Sequence, residues 1–125
     1  MARLSNEIIQ AEVDRILPIL QADFEDCYPL VKRFSNLPMD AGIYALRDRD
    51  EILYIGKTSN IRTRFQAGHK CLSDSLIDQR LARDLRIAAA SVIPIELARE
   101  LERIEGRLLL LVRPPYNVLY PTREV

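Results

Sequence analysis

The sequence predicts a small α/β domain of the α+β kind, in the order helix, strand, strand, helix, strand, helix. Three observations predict it. Two short strand patterns flank a charged break in "GIYALRDRDEILYIGK", residues 42–57. Apolar residues then recur at helical spacing near the C-terminus, at Leu97, Leu101, Ile104, Leu108 and Leu111. A third amphipathic pattern opens the chain. With 125 residues, 48% of them apolar, the protein has the size of one domain and can bury a real core.

The first helix spans residues 5–17. Ile9, Val13, Ile16 and Leu17 share one face, Ser5 or Asn6 supplies the cap, and Pro18 ends or kinks the helix. Residues 18–36 are mixed, with a second short helix expected around Ile19 to Asp26. Pro38 marks a break. Strands follow at 42–47 and 51–56, joined by the turn-forming Asp48-Arg49-Asp50. A short helix from about 60 to 67 starts at one of Thr58, Ser59 and Asn60. It carries Ile61 and Phe65 at i, i+4, and Gly68 can end it in a left-handed conformation.

Residues 70–84 are polar; Leu76-Ile77 and Leu81 hint at a helical turn. LRIAAASVI, residues 85–93, reads as a third strand, with helix as the competitor because of its alanines. Pro94 suits the first turn of the last helix, which stops before Pro114-Pro115. There is no internal repeat and no low-complexity linker.

Composition excludes several classes. No apolar run approaches the roughly 20 residues needed to cross a bilayer, so no membrane partner is expected. MARLSNEIIQAEVDRIL lacks the continuous apolar stretch of a signal peptide. Cys27 and Cys71 are too few for a disulfide framework, and with the single His69 they make a poor zinc set. A reducing, cytoplasmic location is the default expectation. Eighteen basic residues balance eighteen acidic ones, which argues against strong non-specific nucleic-acid binding. The balance is local, however. Lys57, Arg62, Arg64 and Lys70 fall in one segment without an acid, and an anionic partner is expected there.

Several residues stand out chemically. In an antiparallel pair Tyr44 and Tyr54 can share a face with their hydroxyls at one edge, although tyrosine is also an ordinary strand residue. Gly42 and Gly56, inside strand patterns, suggest close approach by another group. Lys57 follows at once, and a cation beside a phenol favours the phenolate, making tyrosine a usable general base. Arg64 emerges beside the core-facing edge of its helix, where a guanidinium can hold a phosphate at two points or simply be solvated. Glu105 sits roughly 80° from the middle of the apolar stripe, at a border that is neither core nor plain surface. A carboxylate there can ligate a hard cation such as Mg²⁺ or serve as an ordinary helix acid. Asn117, after Pro114-Pro115-Tyr116, reads as a turn or cap residue.

Taken together, Gly42-Ile43-Tyr44, Tyr54-Ile55-Gly56, Lys57, Arg64, Glu105 and Asn117 resemble the GIY-YIG nuclease superfamily, and the closing Pro-Pro-Tyr-Asn-Val resembles the module of bacterial excision-repair nucleases. The resemblance covers about residues 38–119. It divides the chain into an N-terminal helical extension, 1–37, a nuclease domain, 38–119, and a C-terminal tail, 120–125. It implies a small three-stranded antiparallel sheet flanked by helices, and a DNA endonuclease using Mg²⁺ (or Mn²⁺), with DNA repair among the roles to expect. Carried over, Tyr44 or Tyr54 activates or positions water, with Tyr44 favoured as the base. Lys57 tunes the tyrosine pair, Arg64 stabilises charge on the phosphate, Glu105 holds the metal and Asn117 supports the site. DNA contacts are expected at Lys57, Arg62, Arg64 and Lys70.

One position departs from the pattern. Many members carry His or Tyr one turn after the helix arginine, where this chain has Gly68. His69, next to it, is the substitute if its ring swings back. The N-terminal residues can cover the sheet, mediate self-association or shape substrate choice. The alternative to an active enzyme is a catalytically weak or inactive module of the same fold that binds nucleic acid or another protein.

Overall fold

The computed structural model describes residues 3–77 and 85–118. Helix α1 runs from Asn6 to Leu20, and the Ser5 side chain caps it by accepting from the Ile8 N–H. Pro18 lies inside this helix and does not end it. In the last turn proline removes a single backbone donor, a smaller cost than in a helix interior. The expected second helix reduces to one 3-10 turn, Phe24–Asp26.

The sheet is antiparallel and has four strands, one more than expected, in the order β1 (Tyr28–Pro29), β4 (Leu85–Ser91), β2 (Gly42–Asp48), β3 (Glu51–Thr58). The extra strand is two residues long and pairs Tyr28 with Ile87 and Pro29 with Arg86. So short a strand leaves no period-two pattern to read. The hairpin runs further than its sequence pattern, from Gly42 opposite Thr58 to Asp48 opposite Glu51, with a register shift between Leu46 and Arg47. LRIAAAS is a strand, and its alanines lie along β2, Ala88 opposite Ala45 and Ala89 opposite Tyr44.

Helix α2 (Ile61–Gln66) is capped by the Asn60 side chain, which accepts from the Thr63 N–H. Two more of its first N–H groups, on Ile61 and Arg62, donate to the carbonyls of Asp40 and Pro38. Gly68 has φ +95, the left-handed conformation expected of it. Helix α3 covers Lys70–Ile77, while Leu81 lies outside the described residues. The C-terminal pattern divides into a single turn, α4 (Ile95–Ala98), and α5 (Leu101–Val112). A left-handed Arg113 ends α5 before the prolines. The apolar stripe outlasts its cover: Leu111, expected on the buried face, is 60% exposed.

The two faces of the sheet differ in chemistry. One packs Ile43, Ala45 and Ile55 against α1 and α5, through Ile9, Val13, Ile16, Leu20, Ile104 and Leu108. These helix residues are fully buried, each worth about 2 kcal/mol of apolar transfer. The other face packs Tyr44, Leu46 and Tyr54 against Ile61 and Phe65 of α2 and Cys71 and Leu72 of α3. Residues 1–37 therefore contribute α1 to the main core. Its apolar face is buried within the same chain, and its polar flank is held by Arg103 and Arg107 of α5, which donate to Leu4, Asn6 and Gln10.

Arg47 is the largest fully buried side chain, 2% exposed. It donates to the carbonyls of Leu20, at the end of α1, and Ala22, just past it, both at 2.8 Å, and twice to the Arg49 carbonyl. A buried guanidinium is tolerated there because backbone acceptors surround it and the C-terminal end of α1 carries partial negative charge.

Candidate active site

Strand alternation places Tyr44 and Tyr54 on the same face, as expected, with ring centroids 6.3 Å apart and planes 30° apart. Both are almost fully buried. Tyr44 pairs across the hairpin with Gly56, and its ring lies directly over that glycine. A Cβ at Gly56 would collide with the Tyr44 ring and hydroxyl, and one at Gly42 would collide with the Ala90 carbonyl. Both motif glycines are thus spaces needed by a neighbour: one for the catalytic candidate, one for the β2–β4 pairing.

His69 closes the cluster. It is 3% exposed, its Nε2 is 2.8 Å from the Tyr44 hydroxyl, and its ring stands edge-on to both tyrosines. Phe65 stacks on it, with centroids 5.0 Å apart and planes 15° apart, and Phe34 backs Phe65. The Leu72 N–H points at His69 Nδ1, 3.4 Å away, and the Ser73 N–H donates to the His69 carbonyl, so His69 also caps α3. With Nδ1 accepting, the proton of the neutral ring sits on Nε2 and is donated to the Tyr44 oxygen. Burial, and secondarily the Arg64 charge, lower the His69 pKa from 6.5 to about 4, so the ring is neutral at pH 7.

Arg64 is half-buried on α2, and one guanidinium nitrogen donates to the Gly68 carbonyl at 3.0 Å. That bond uses one of five N–H donors and fixes the side chain beside His69. Arg62 donates to the Leu37 carbonyl, which ties α2 to the preceding loop; Lys70 is exposed at the start of α3.

The remaining residues gather about β3, the edge strand. The Asn117 side-chain amide donates to the Ile55 carbonyl at 2.8 Å and accepts from the Ile55 N–H at 2.9 Å. It takes the place of the missing neighbour strand. The 3-10 turn Pro115–Asn117 that presents it also brings Tyr116 against the aromatic cluster. Lys57 pairs with Ile43, so by alternation its side chain leaves β3 on the face of α5, opposite the tyrosines. Glu105 is 4% exposed on α5, which corrects the border position expected for it. Because α5 packs against β3 as well as α1, the flank of its stripe is covered too. The candidate residues therefore divide about one strand: tyrosines, His69 and Arg64 on one side, Lys57 and Glu105 on the other, Asn117 at the edge.

One feature carries no readable sequence signal. The buried Arg47 sits beside a charged turn and looks solvated, because the acceptors that bury it, the Leu20 and Ala22 carbonyls, lie more than 20 residues away in sequence. The His69 ring does swing back onto Tyr44, as the sequence allowed, once the left-handed Gly68 turns the chain.

A family model described as the GIY-YIG catalytic domain matches residues 40–117. Among curated relatives, the UvrABC system protein C of Synechococcus sp. (strain JA-2-3B'a(2-13)) is 32% identical over 92 residues, covering 72% of this chain and 14% of that protein. The UvrABC system protein C of Gloeobacter violaceus is 35% identical over 108 residues, covering 82% of this chain and 16% of that protein. The chain thus spans a small part of the length of these relatives. A solved structure of the GIY-YIG N-terminal endonuclease domain of UvrC from Thermotoga maritima, bound to magnesium, is similar at 21% identity and a TM-score of 0.46, covering 70% of this chain and 99% of that one. The chain belongs to the GIY-YIG catalytic domain family.

Proposed function

We propose that this domain is a divalent-metal-dependent endonuclease that hydrolyses phosphodiester bonds in DNA. The observation that carries the reading is the Tyr44 hydroxyl, held 2.8 Å from a buried, neutral His69 with Arg64 alongside. Such a phenol is a positioned proton acceptor beside a cation suited to phosphate. Tyr44 takes the proton of the attacking water. The Nε2–H of His69 stabilises the negative charge on the Tyr44 oxygen before that proton arrives, and so fills the role left open by Gly68. Tyr54 fixes the other side of the His69 ring. The free N–H groups of Arg64 face the phosphate and offset the charge that builds on its oxygens.

The residues fit a metal of the magnesium kind. Glu105 offers one buried carboxylate beside β3, and among the described residues no three His, Cys, Asp or Glu cluster as a zinc-type cage would require. Mg²⁺ is commonly held by one or two carboxylates, with water and substrate oxygens completing its shell. When bound by Glu105, the ion supplies polarisation of the phosphate and support for the leaving oxygen. Lys57, on the same side of β3, adds positive charge for the substrate. Asn117 acts as a positioning residue through the β3 backbone. A role in DNA repair follows from the names of the relatives and belongs to the same proposal.

The test is cleavage of supercoiled, linear and branched DNA with and without Mg²⁺, comparing the wild type with Tyr44→Phe and Glu105→Ala. Metal-dependent cutting that falls at least about 100-fold in each variant is expected. Cutting that survives both substitutions sinks the site assignment. DNA binding without cutting points to a binding module, and neither binding nor cutting points to a protein-interaction role.

A further inference from the structure

The segment before β2 serves both faces of the sheet. Helix α1 covers the aliphatic face, and the chain then crosses to the aromatic face, where Leu37 is buried and Leu30 and Phe34 pack against the cluster of Tyr44 and Phe65. There the 3-10 turn Lys32–Phe34 bears two adjacent left-handed residues, Arg33 at φ 60 and Phe34 at φ 53. Any residue but glycine adopts that backbone at a cost. The turn is nevertheless pinned from several sides. The Phe34 ring packs on Phe65 with centroids 5.5 Å apart, and Gln66 of α2 donates to the Arg33 carbonyl at 2.9 Å. Arg62 donates to the Leu37 carbonyl and Asn36 to the Pro29 carbonyl, both at 2.9 Å. Phe34 thus goes inward, while Lys32 and Arg33 stay exposed on a fixed frame.

The segments that meet here, 27–39 and 52–73, contain no acidic residue. Arg62 and Arg64 bond to backbone carbonyls, which leave their charge in place. Lys32 and Arg33 therefore extend a positive surface that begins at the candidate active site. The distance is short: Phe65 meets Phe34 on one side and Tyr44 on the other, with centroids 5.5 Å and 4.9 Å apart. Phosphates of one DNA strand follow each other about every 3.4 Å along the axis, so a strand cut at Tyr44 passes this turn within a few nucleotides. Backbone held in a costly conformation by its surroundings concentrates at binding sites. We propose that Lys32 and Arg33 hold the phosphate backbone of duplex DNA a few nucleotides from the scissile phosphate, without reading its sequence. Both lie outside residues 40–117, which match the family model, so the contact belongs to the N-terminal segment. The proposal rests on the nuclease reading and adds two substrate-binding residues to it.

The test is equilibrium binding of a fluorescently labelled DNA duplex, without metal, at several salt concentrations. Arg33→Gly removes the charge and suits the left-handed backbone, so the fold is kept. Arg49→Gly is its matched control: Arg49 is also left-handed, at φ 55, but stands at the hairpin tip between Asp48 and Asp50. Arg33→Gly is expected to weaken binding about threefold and to lower the salt slope by about one, as loss of one phosphate contact does. Adding Lys32→Gln should bring the loss to about tenfold and the change in slope to about two. Arg33→Lys should keep most of the affinity, and Arg49→Gly should bind like the wild type. In cleavage, the double variant should raise KM with kcat unchanged. A double variant that binds within about twofold of Arg49→Gly, or more weakly with an unchanged salt slope, overturns the contact while leaving the nuclease reading intact. A wild type that neither binds nor cuts DNA overturns both.

Discussion

The two faces of one small sheet have been given different work. Behind it, Ile43, Ala45 and Ile55 meet a wall of fully buried aliphatic side chains from α1 and α5, with the carboxylates of Glu12 and Glu105 at its borders. In front, Tyr44 and Tyr54 meet Phe65 and His69, equally buried, yet three of these four rings carry a group that can take or give a proton. Both faces are closely packed. The difference is that packing on the aliphatic face is interchangeable hydrocarbon, whereas on the aromatic face it also fixes the direction of a hydroxyl. Adjacent residues of a single strand, such as Ile43 and Tyr44, serve the two purposes because side chains alternate.

That contrast can be broken most severely at Tyr44. Tyr44→Phe keeps the ring over Gly56 and removes the bond to His69, so cleavage should fall by about 10² to 10⁴ while the melting temperature stays close to that of the wild type. The reverse result, normal cutting with a large loss of stability, would show that the front face is only core. The matching change behind the sheet is Ile16→Ala, expected to cost about 3 to 4 kcal/mol in urea unfolding while the folded fraction cuts DNA normally. Arg47→Met comes next. It strips the Leu20 and Ala22 carbonyls of their buried donor and should cost about 2 to 3 kcal/mol, again without a specific loss of activity.

Acid offers a subtler probe. The folded pKa of His69 lies below its unfolded value, so between about pH 6.5 and 4 the unfolded chain binds a proton that the native state refuses. Stability should therefore decline as pH falls through that window, by on the order of 3 kcal/mol, and His69→Gln should flatten that part of the profile. An unchanged profile would mean that some other group governs it. The smallest effect is expected at Asn117. Asn117→Ala should cost about 1 to 2 kcal/mol from its two bonds to Ile55, and cleavage should fall with kcat more than with KM if the edge of β3 orients the site.

What could be read in advance follows the range of the forces involved. The hairpin, a cap among Thr58, Ser59 and Asn60 (it is Asn60), the left-handed Gly68 and the third strand rest largely on neighbours within a few residues, and each lies close to where the sequence places it. Glu105, Arg47 and His69 owe their environments to distant segments. An acid on the flank of a stripe looks half-exposed until a second element, here β3, closes over it. An arginine beside a turn looks solvated until the end of α1 arrives with its carbonyls. The two-residue β1 and the corner that splits α4 from α5 are settled by tertiary packing, which no local period records.

The helix α1 bears on how portable this chemistry is. The residues matched to the catalytic family begin at 40, yet Ile104 and Leu108, on the helix that carries Glu105, are sealed by side chains from residues 9–20. A graft of the motif-bearing segment alone onto another protein would bring an open hydrophobic flank with it, and its host would have to lend a helix in return.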